Sequence, residues 1–262
     1  MSTKPANSSL ARSGSVVGAM TLISRVLGFI RDQVFAIALG AGPMTDAFLV
    51  AFKIPNFLRR LFAEGAFAQS FVPVFTEYKE TRSREALVAL AARVSGTFGT
   101  ILIIVSVLGS LFAPAIVALF APGFEEGGQR EQLTTQMLRI TFPYLFFISM
   151  VAYAAGVLNS FNRFAIPALT PVFLNICLIT AALWGTKFFA VPVVALAWGV
   201  FIAGAVQLAF QLPSMYRLGL LVMPQWGWRD SGVRKILNLM LPGCFGFLFE
   251  EKAQRPFLAK KA

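Results

Sequence analysis

Hydrophobic residues form six long stretches along this chain, and charged residues divide these stretches into two groups. Four stretches, at residues 94–124, 140–162, 164–186 and 188–216, contain no Asp, Glu, Lys or Arg. Each is long enough to cross a bilayer as an α-helix. The first two stretches, at residues 13–40 and 46–76, are just as apolar overall but contain charged residues. The pattern therefore predicts six transmembrane helices, of which the first two are unusual.

The charged residues within the first two stretches are the strongest functional signal in the sequence. An ionised side chain at the centre of a bilayer costs about 2.5 to 3.5 kcal/mol on insertion scales, so such residues usually face a wet cavity or one another. We therefore expect them to face the interior of the helical bundle. They are Arg25, Arg31, Asp32, Lys53, Arg59, Arg60 and Glu64.

The composition is typical of a chain whose solvent is mostly lipid. Of the 262 residues, 57% are hydrophobic and 13% are charged, and the mean hydropathy is +0.71. The sequence contains no histidine. This removes the usual general base, the common Ser-His-Asp and Cys-His nucleophile pairs and most zinc sites. We therefore expect a protein that is not an enzyme and that needs no metal or cofactor.

We expect an all-α polytopic membrane protein with six full transmembrane helices and a partial seventh. The seventh begins near Ile236, but its charge-free run ends at Phe249 after 14 residues, which is too short for a comfortable span. The expected organisation is a cytoplasmic amino terminus at residues 1–12, a membrane helical bundle at 13–249 and a charged tail at 250–262. That tail is typical of a truncated or frameshifted end.

Loop charge predicts the orientation in the membrane. Eleven basic residues fall on the side of the amino terminus, against Arg130, Lys187 and, if it lies at a helix end, Arg139 on the other side. The positive-inside rule therefore places the amino terminus in the cytoplasm. Topology and the cavity then account for most of the net charge of +11 without a nucleic-acid partner. The eleven residues are Lys4, Arg12, Lys79, Arg82, Arg84, Arg93, Arg163, Arg217, Arg229, Arg234 and Lys235.

The segment between the second and third spans, at residues 77–93, predicts a short amphipathic helix on the inner surface. Proline and glycine mark the other boundaries. Residues 40–43 predict a tight turn on the exterior side, after which Thr45 or Asp46 can cap the second helix. Pro213 is expected to close the sixth span.

The second stretch holds the densest polar chemistry. Pro55 has no backbone N–H, so it frees the carbonyl near Ala51 and allows a kink at depth. Arg60 and Glu64 are four residues apart and can form an ion pair along one helix face. Arg59 has no such partner in its own helix, which makes a purely structural role for it difficult.

The first stretch carries one acid and two arginines. Arg25 and Asp32 are seven residues apart and share a helix face, whereas Arg31 points about a third of a turn away. Across both stretches the arginines outnumber Asp32 and Glu64, so surplus positive charge remains. Arginine has a planar, permanently charged fork that suits phosphate or carboxylate. We therefore favour an anionic substrate over purely structural ion pairing.

Several charged motifs resemble those of the MurJ (MviN) lipid II flippase family. The resemblance covers about residues 10–246, and charged motifs inside transmembrane spans make it specific. The motifs are SRVLGFIRD in the first stretch, TDAF from Thr45, KIPNFLRRLFAEGAF from Lys53, FVPVFTEYK from Phe71, APGF from Ala121, TFPY from Thr141, LNSFNRF from Leu158 and ALAWG from Ala195.

The resemblance implies an amino-terminal lobe of a multidrug/oligosaccharidyl-lipid/polysaccharide exporter fold in a bacterial inner membrane. It implies transport of an undecaprenyl-diphosphate-linked peptidoglycan precursor from the inner to the outer leaflet by alternating access. Carried over by motif, the diphosphate-binding residues are Arg25, Arg31 and Arg59. Ser24, Asp32 and Asn56 line the same cavity, while Arg60, Glu64 and Asp46 serve in gating or ion pairing, although a helix cap is the simpler role for Asp46.

The second lobe of that family has no counterpart in this sequence, so we expect the chain alone to flip lipid poorly. Two other functions stay open. A related cation-coupled multidrug exporter is expected to have acidic rather than arginine-rich cavity residues. An integral-membrane enzyme acting on polyprenyl phosphates would need a base or a carboxylate cluster, and no DD or DxxD pair occurs.

Overall fold

A computed structural model describes residues 6–40, 42–60, 66–125 and 127–240 of the chain. Over these residues the regular structure is entirely helical, which confirms the all-α prediction. The helices are α1 (Ala6–Leu39), α2 (Pro43–Arg59), α3 (Ala68–Thr81), α4 (Arg84–Leu111), α5 (Ala113–Phe120), α6 (Gln129–Thr141), α7 (Tyr144–Ser160), α8 (Ala165–Leu183), a short 3₁₀ helix (Gly185–Phe188), α9 (Val194–Arg217) and α10 (231–240).

Four helical segments in the described part of the chain are long and apolar enough to cross a membrane. They are Arg84–Leu111, Gln129–Ser160, Ala165–Leu183 and Val194–Arg217, which correspond to the four charge-free stretches. The two charged stretches form α1 and the pair α2 and α3. The count of six full spans stays a prediction.

The predicted amphipathic helix at residues 77–93 is wrong. Residues 77–81 complete α3, and α4 begins at Arg84 after a sharp break. Ser83 causes the break, because its backbone is extended and its hydroxyl accepts a hydrogen bond from the Ala86 N–H at 3.3 Å, which caps the new helix.

Two boundaries placed by proline also differ from the sequence-based prediction. Pro213 lies inside α9, which continues to Arg217. A proline within a helix removes one backbone hydrogen bond, and α9 continues past that loss. The apolar run at residues 94–124 is divided at Phe112, and α5 starts there with Pro114 in its first turn. Helix α1 ends at Leu39 and α2 begins at Pro43, as predicted, with Gly40 at a φ of 67°; Ala41, within the predicted turn, lies outside the described residues.

An aromatic ladder on α3 forms the centre of the core. Phe71 stacks on Phe67 and on Phe75 with ring centroids 5.0 Å apart in both pairs. Phe67 also stacks on Phe98 of α4 at 4.2 Å. Tyr153 of α7 packs against Phe71 at 5.3 Å and donates its hydroxyl hydrogen to the Ala91 carbonyl at 3.0 Å. These contacts join α3, α4 and α7 into one packed unit.

Helix α8 lies between two parts of the bundle. It packs against α1 on one side and α9 on the other, while α9 also packs against α7. On the far side, α2 packs on α6 and α3 packs on α7. Helices α1 and α2 contact each other near the end of α1, where the rings of Phe35 and Phe48 pack edge to face with their centroids 6.0 Å apart.

Basic residues of several elements gather at one end of the bundle. Lys79 at the end of α3 donates to the Ser160 carbonyl of α7 at 2.7 Å. The Arg84 guanidinium lies over Phe161 and contacts the Leu218 carbonyl beyond α9. Lys235 of α10 pairs with Glu77 at 2.6 Å. The ends of α3, α7 and α9 and the starts of α4 and α10 therefore lie together.

Candidate functional site

Arg31 of α1 is held by polar groups on two helices. Its guanidinium donates to the Asp32 carboxylate at 2.7 and 2.9 Å and to the Asn175 side-chain oxygen of α8 at 3.1 Å. It also lies 5.9 Å from the centre of the Phe35 ring. The side chain is 22% exposed, so the guanidinium is fixed in position but still accessible.

Asp32 pairs with its neighbour Arg31 and not with Arg25, although Arg25 and Asp32 share a helix face. Seven residues of α-helix rise about 10 Å, which is too far for a direct ion pair. The long Arg31 side chain reaches round the helix to the next residue instead. Arg25 is exposed and has no hydrogen bond or ion pair with any residue that the structure describes.

Asn175 is a site residue that the sequence analysis missed. It is 5% exposed and uses both ends of its amide, because its oxygen accepts from Arg31 and its NH₂ donates to the Ser24 carbonyl at 3.0 Å. The signal was available, since an asparagine in the middle of an otherwise apolar span needs hydrogen-bond partners. Ser24 contributes its backbone carbonyl to this contact.

Arg59 of α2 has a partner in its own helix, contrary to the sequence-based expectation. Its Nε donates to the Asn56 side-chain oxygen at 2.9 Å, three residues back on the same face. Arg60 and Lys53 are exposed. The predicted pair of Arg60 with Glu64 cannot be judged, because Glu64 lies outside the described residues.

The prediction that Pro55 frees the Ala51 carbonyl is confirmed, because this carbonyl accepts a hydrogen bond from a side chain of another helix. Pro55 is buried inside α2, and the hydroxyl of Thr141 is shared between the Ala51 carbonyl at 3.2 Å and the Leu138 carbonyl of its own helix at 3.3 Å. Thr141 and Ala51 are both fully buried. Thr141, the first residue of the TFPY motif, thus replaces the hydrogen bond that the Ala51 carbonyl loses because of Pro55.

The expected cap at the start of α2 is wrong for both candidates. The cap position is Gly42, and no side chain caps the helix there. Thr45 instead donates to the Gly40 carbonyl at 3.0 Å, which stabilises the turn. Asp46 is exposed in the first turn of α2, where a negative charge interacts favourably with the helix dipole.

A cavity of about 420 Å³ lies between α2, α3, α7, α8 and α9. One face of α8 lines it with Pro167, Thr170, Pro171 and Leu174, which follow the helical repeat. Its polar lining consists of Arg59, Tyr144, Asn159, Thr170, Gln207 and Gln211. The cavity therefore combines one guanidinium with neutral hydrogen-bonding groups and apolar walls.

The structure brings some of the predicted residues together and leaves others apart. Arg59 lines the cavity, with Asn56 fixing its guanidinium. Asn175 lies one helical turn beyond Pro171, so it holds Arg31 at the edge of the cavity-lining face of α8. Arg25 and Asp46 contribute no contact to this cavity among the described residues. Those residues also include no group of three or more His, Cys, Asp or Glu side chains that could hold a metal ion.

Sequence comparison finds similar proteins in several bacteria, and the similarity extends over most of this chain. The family profile described as "Lipid II flippase MurJ" matches residues 35–251. The chain is 49% identical over 244 residues to "Probable lipid II flippase MurJ" of Vibrio cholerae, covering 90% of this chain and 46% of that protein. It is 41% identical over 240 residues to "Lipid II flippase MurJ" of Burkholderia cenocepacia, with the same two shares. The chain thus spans about half the length of these curated relatives.

Comparison with solved structures gives the same result for the fold. A structure described as "Lipid II flippase MurJ, inward closed conformation" matches with a TM-score of 0.70 and 28% identity, over 87% of this chain and 46% of that one. An outward-facing multidrug resistance MATE family transporter matches with a TM-score of 0.64 and 17% identity, over 90% and 52%. The second likeness shows the exporter fold alone.

Proposed function

Because this chain belongs to the lipid II flippase MurJ family, we propose that it forms the part of a lipid II transporter that receives the diphosphate headgroup. The substrate is an undecaprenyl-diphosphate-linked peptidoglycan precursor, moved between leaflets by alternating access. The related multidrug exporter activity is not favoured. The protein moves its substrate without chemical change, so it is a transporter and not an enzyme.

One observation carries this proposal: two guanidinium groups are fixed by neighbouring side chains while remaining accessible. Arg31 is held by Asp32 and Asn175, and Arg59 is held by Asn56. A charge inside an apolar bundle is costly unless it has a partner or a function. Arg59 lines a cavity, and Arg31 is hydrogen-bonded to Asn175, which lies one turn along α8 from the cavity-lining Pro171. Arginine forks of this kind match the geometry of phosphate oxygens.

The roles of the individual residues are part of the proposal. Arg25, Arg31 and Arg59 bind the diphosphate or its neighbouring anionic groups. Ser24, Asp32 and Asn56 position these arginines or line the path. Arg60, Glu64 and Asp46 act in gating or ion pairing.

We place the protein in the bacterial inner membrane with its amino terminus in the cytoplasm. The meeting of Lys79, Arg84 and Lys235 at one end of the bundle supports this orientation, because the predicted cytoplasmic loops should lie on one side. The headgroup would then enter from the same side as this basic end.

Binding of a diphosphate lipid to the purified chain tests the proposal. The chain in lipid nanodiscs should bind undecaprenyl diphosphate and should not bind undecaprenol, which lacks phosphate. Arg31→Ala and Arg59→Ala should each weaken binding by about tenfold or more, because each removes a charge-assisted contact worth about 1.5 to 3 kcal/mol. Microscale thermophoresis measures the affinity, and thermal unfolding in detergent checks that the variants fold.

Arg130→Ala provides the matched control, since Arg130 is exposed at the start of α6 and far from the cavity lining. It should bind like the unmodified chain. Unchanged affinity in both cavity variants, or equal binding of undecaprenol, would remove the arginines from the mechanism.

A further inference from the structure

We propose that Gln207 and Gln211 of α9 form a second subsite in the same cavity, which accepts hydrogen bonds from the neutral part of the headgroup. Its ligands are hydroxyl and amide N–H groups, such as those of the sugars and peptide beyond the diphosphate. This inference rests on the proposed function, because it concerns the same substrate. It adds recognition of groups that the arginines do not contact.

The side-chain oxygens of two buried glutamines make no hydrogen bond with the described residues. Gln207 is 2% exposed and Gln211 is fully buried. Gln207 donates to the Thr170 carbonyl at 2.9 Å, and Gln211 donates to the Thr170 hydroxyl at 2.9 Å. The side-chain oxygens of both glutamines are buried and have no partner among the described residues.

The amide orientation of Gln207 follows from its neighbour. The backbone carbonyl of Thr170 can only accept, so the Gln207 NH₂ must face it and the oxygen must face away. Leaving such an oxygen unpaired in a protein interior costs about 1 to 3 kcal/mol. Two of them, one helical turn apart on the same wall, indicate a function rather than a packing defect.

The surroundings decide which ligand fits these oxygens. Amide oxygens are acceptors, so they repel a phosphate and require a donor. A cation is disfavoured by the Arg59 guanidinium that lines the same cavity. A neutral hydroxyl or amide N–H satisfies both constraints.

The cavity volume is consistent with binding of the charged and the neutral parts of the headgroup by different side chains. About 420 Å³ lies within the range of small-molecule pockets, which suits part of a headgroup rather than a lipid chain. Arg59 belongs to α2, whereas the glutamines belong to α9 and reach the cavity beside Thr170 of α8. A headgroup placed between them would present its diphosphate to Arg59 and its neutral groups to the glutamines.

The test compares a lipid that carries the sugars and peptide with a lipid that ends at the diphosphate. The full chain in nanodiscs is titrated with lipid II and with undecaprenyl diphosphate by microscale thermophoresis. The subsite predicts that lipid II binds about tenfold more tightly, as expected for one or two extra hydrogen bonds. Equal affinities for the two lipids would overturn the subsite without any variant, even if the arginine proposal holds.

Variants then assign the preference to the glutamines. Gln207→Met and Gln211→Met keep the side-chain length and remove the acceptor, so each should weaken lipid II binding about threefold to tenfold while leaving undecaprenyl diphosphate unchanged. Gln136→Met, at an exposed position on α6, should change neither. An equal loss of affinity for both lipids in the glutamine variants would assign the glutamines a structural role only. Failure of both lipids to bind the unmodified chain would remove the proposed function and this subsite with it.

Discussion

Asn175 joins α1 to α8 through two hydrogen bonds at a contact that is otherwise apolar. The side-chain oxygen of Asn175 accepts a hydrogen bond from the Arg31 guanidinium. Its NH₂ group donates to the carbonyl of Ser24, almost two turns earlier on α1. A bond to a charged donor is worth more than one between neutral groups. A single buried amide therefore sets both the position of α1 and the direction of the Arg31 side chain.

Replacing Asn175 by Leu should destabilise the fold by about 2 to 4 kcal/mol, because it removes one charge-assisted and one neutral hydrogen bond at a buried position. Denaturation in mixed micelles by SDS titration measures the free energy of unfolding. Asn238→Leu, at an exposed position of α10, is the control and should change stability little. Similar stability of the two variants would show that the α1 contact does not depend on Asn175.

At the scale of helices, the proline in α2 is compensated from a neighbouring helix. Pro55 leaves the Ala51 carbonyl without its usual helical donor, and Thr141 at the end of α6 supplies one. Helices α2 and α6 pack against each other around this bond. The hydrogen bonding of α2 at Pro55, next to Asn56 and Arg59, therefore depends on α6.

Thr141→Val should cost about 1 to 3 kcal/mol of unfolding free energy, because it leaves a buried carbonyl unsatisfied. Thr134→Val is a matched control, since Thr134 is equally buried but donates only to Arg130 within its own helix. In a Pro55→Ala background, where α2 regains its N–H, the cost of Thr141→Val should shrink. A cost that is the same in both backgrounds would separate Thr141 from the proline.

At the scale of the whole molecule, the described residues form one helical bundle. The chain matches 46% of the Vibrio cholerae relative, and alternating access requires two bundles that move against each other. Under the proposed function, the arginines and the cavity described here line one side of the path, and a second bundle would line the other side.

The chain expressed alone should fail to rescue growth of a flippase-depleted bacterium. Co-expression with the unmatched remainder of the Vibrio cholerae relative should restore some growth, because the second bundle is then present. Growth after depletion is the measurement, and membrane levels of the chain provide the control for expression. Robust rescue by the chain alone would overturn the requirement for a second bundle.

Much of this protein could be predicted from the order of its residues. The helical membrane fold and the family are confirmed, and so is the freed carbonyl at Pro55, since a missing N–H is a local covalent property. Which arginine pairs with Asp32 was left open, because periodicity gives the direction of a side chain but not its reach. Asn175, Gln207 and Gln211 were missed because each is a single polar residue in a span read for its apolarity.

The sequence by itself determined which segments are helical and apolar, where charge enters them and which family the motifs belong to. These properties depend on residue type and spacing, which act over a few turns of one helix. Packing of the helices was needed to show that Asn175 holds Arg31, that Thr141 donates to α2 and that two glutamine oxygens have no partner among the described residues in the cavity that Arg59 also lines. Each of these is a contact, or a missing contact, between helices far apart in sequence, and packing alone determines which polar groups meet.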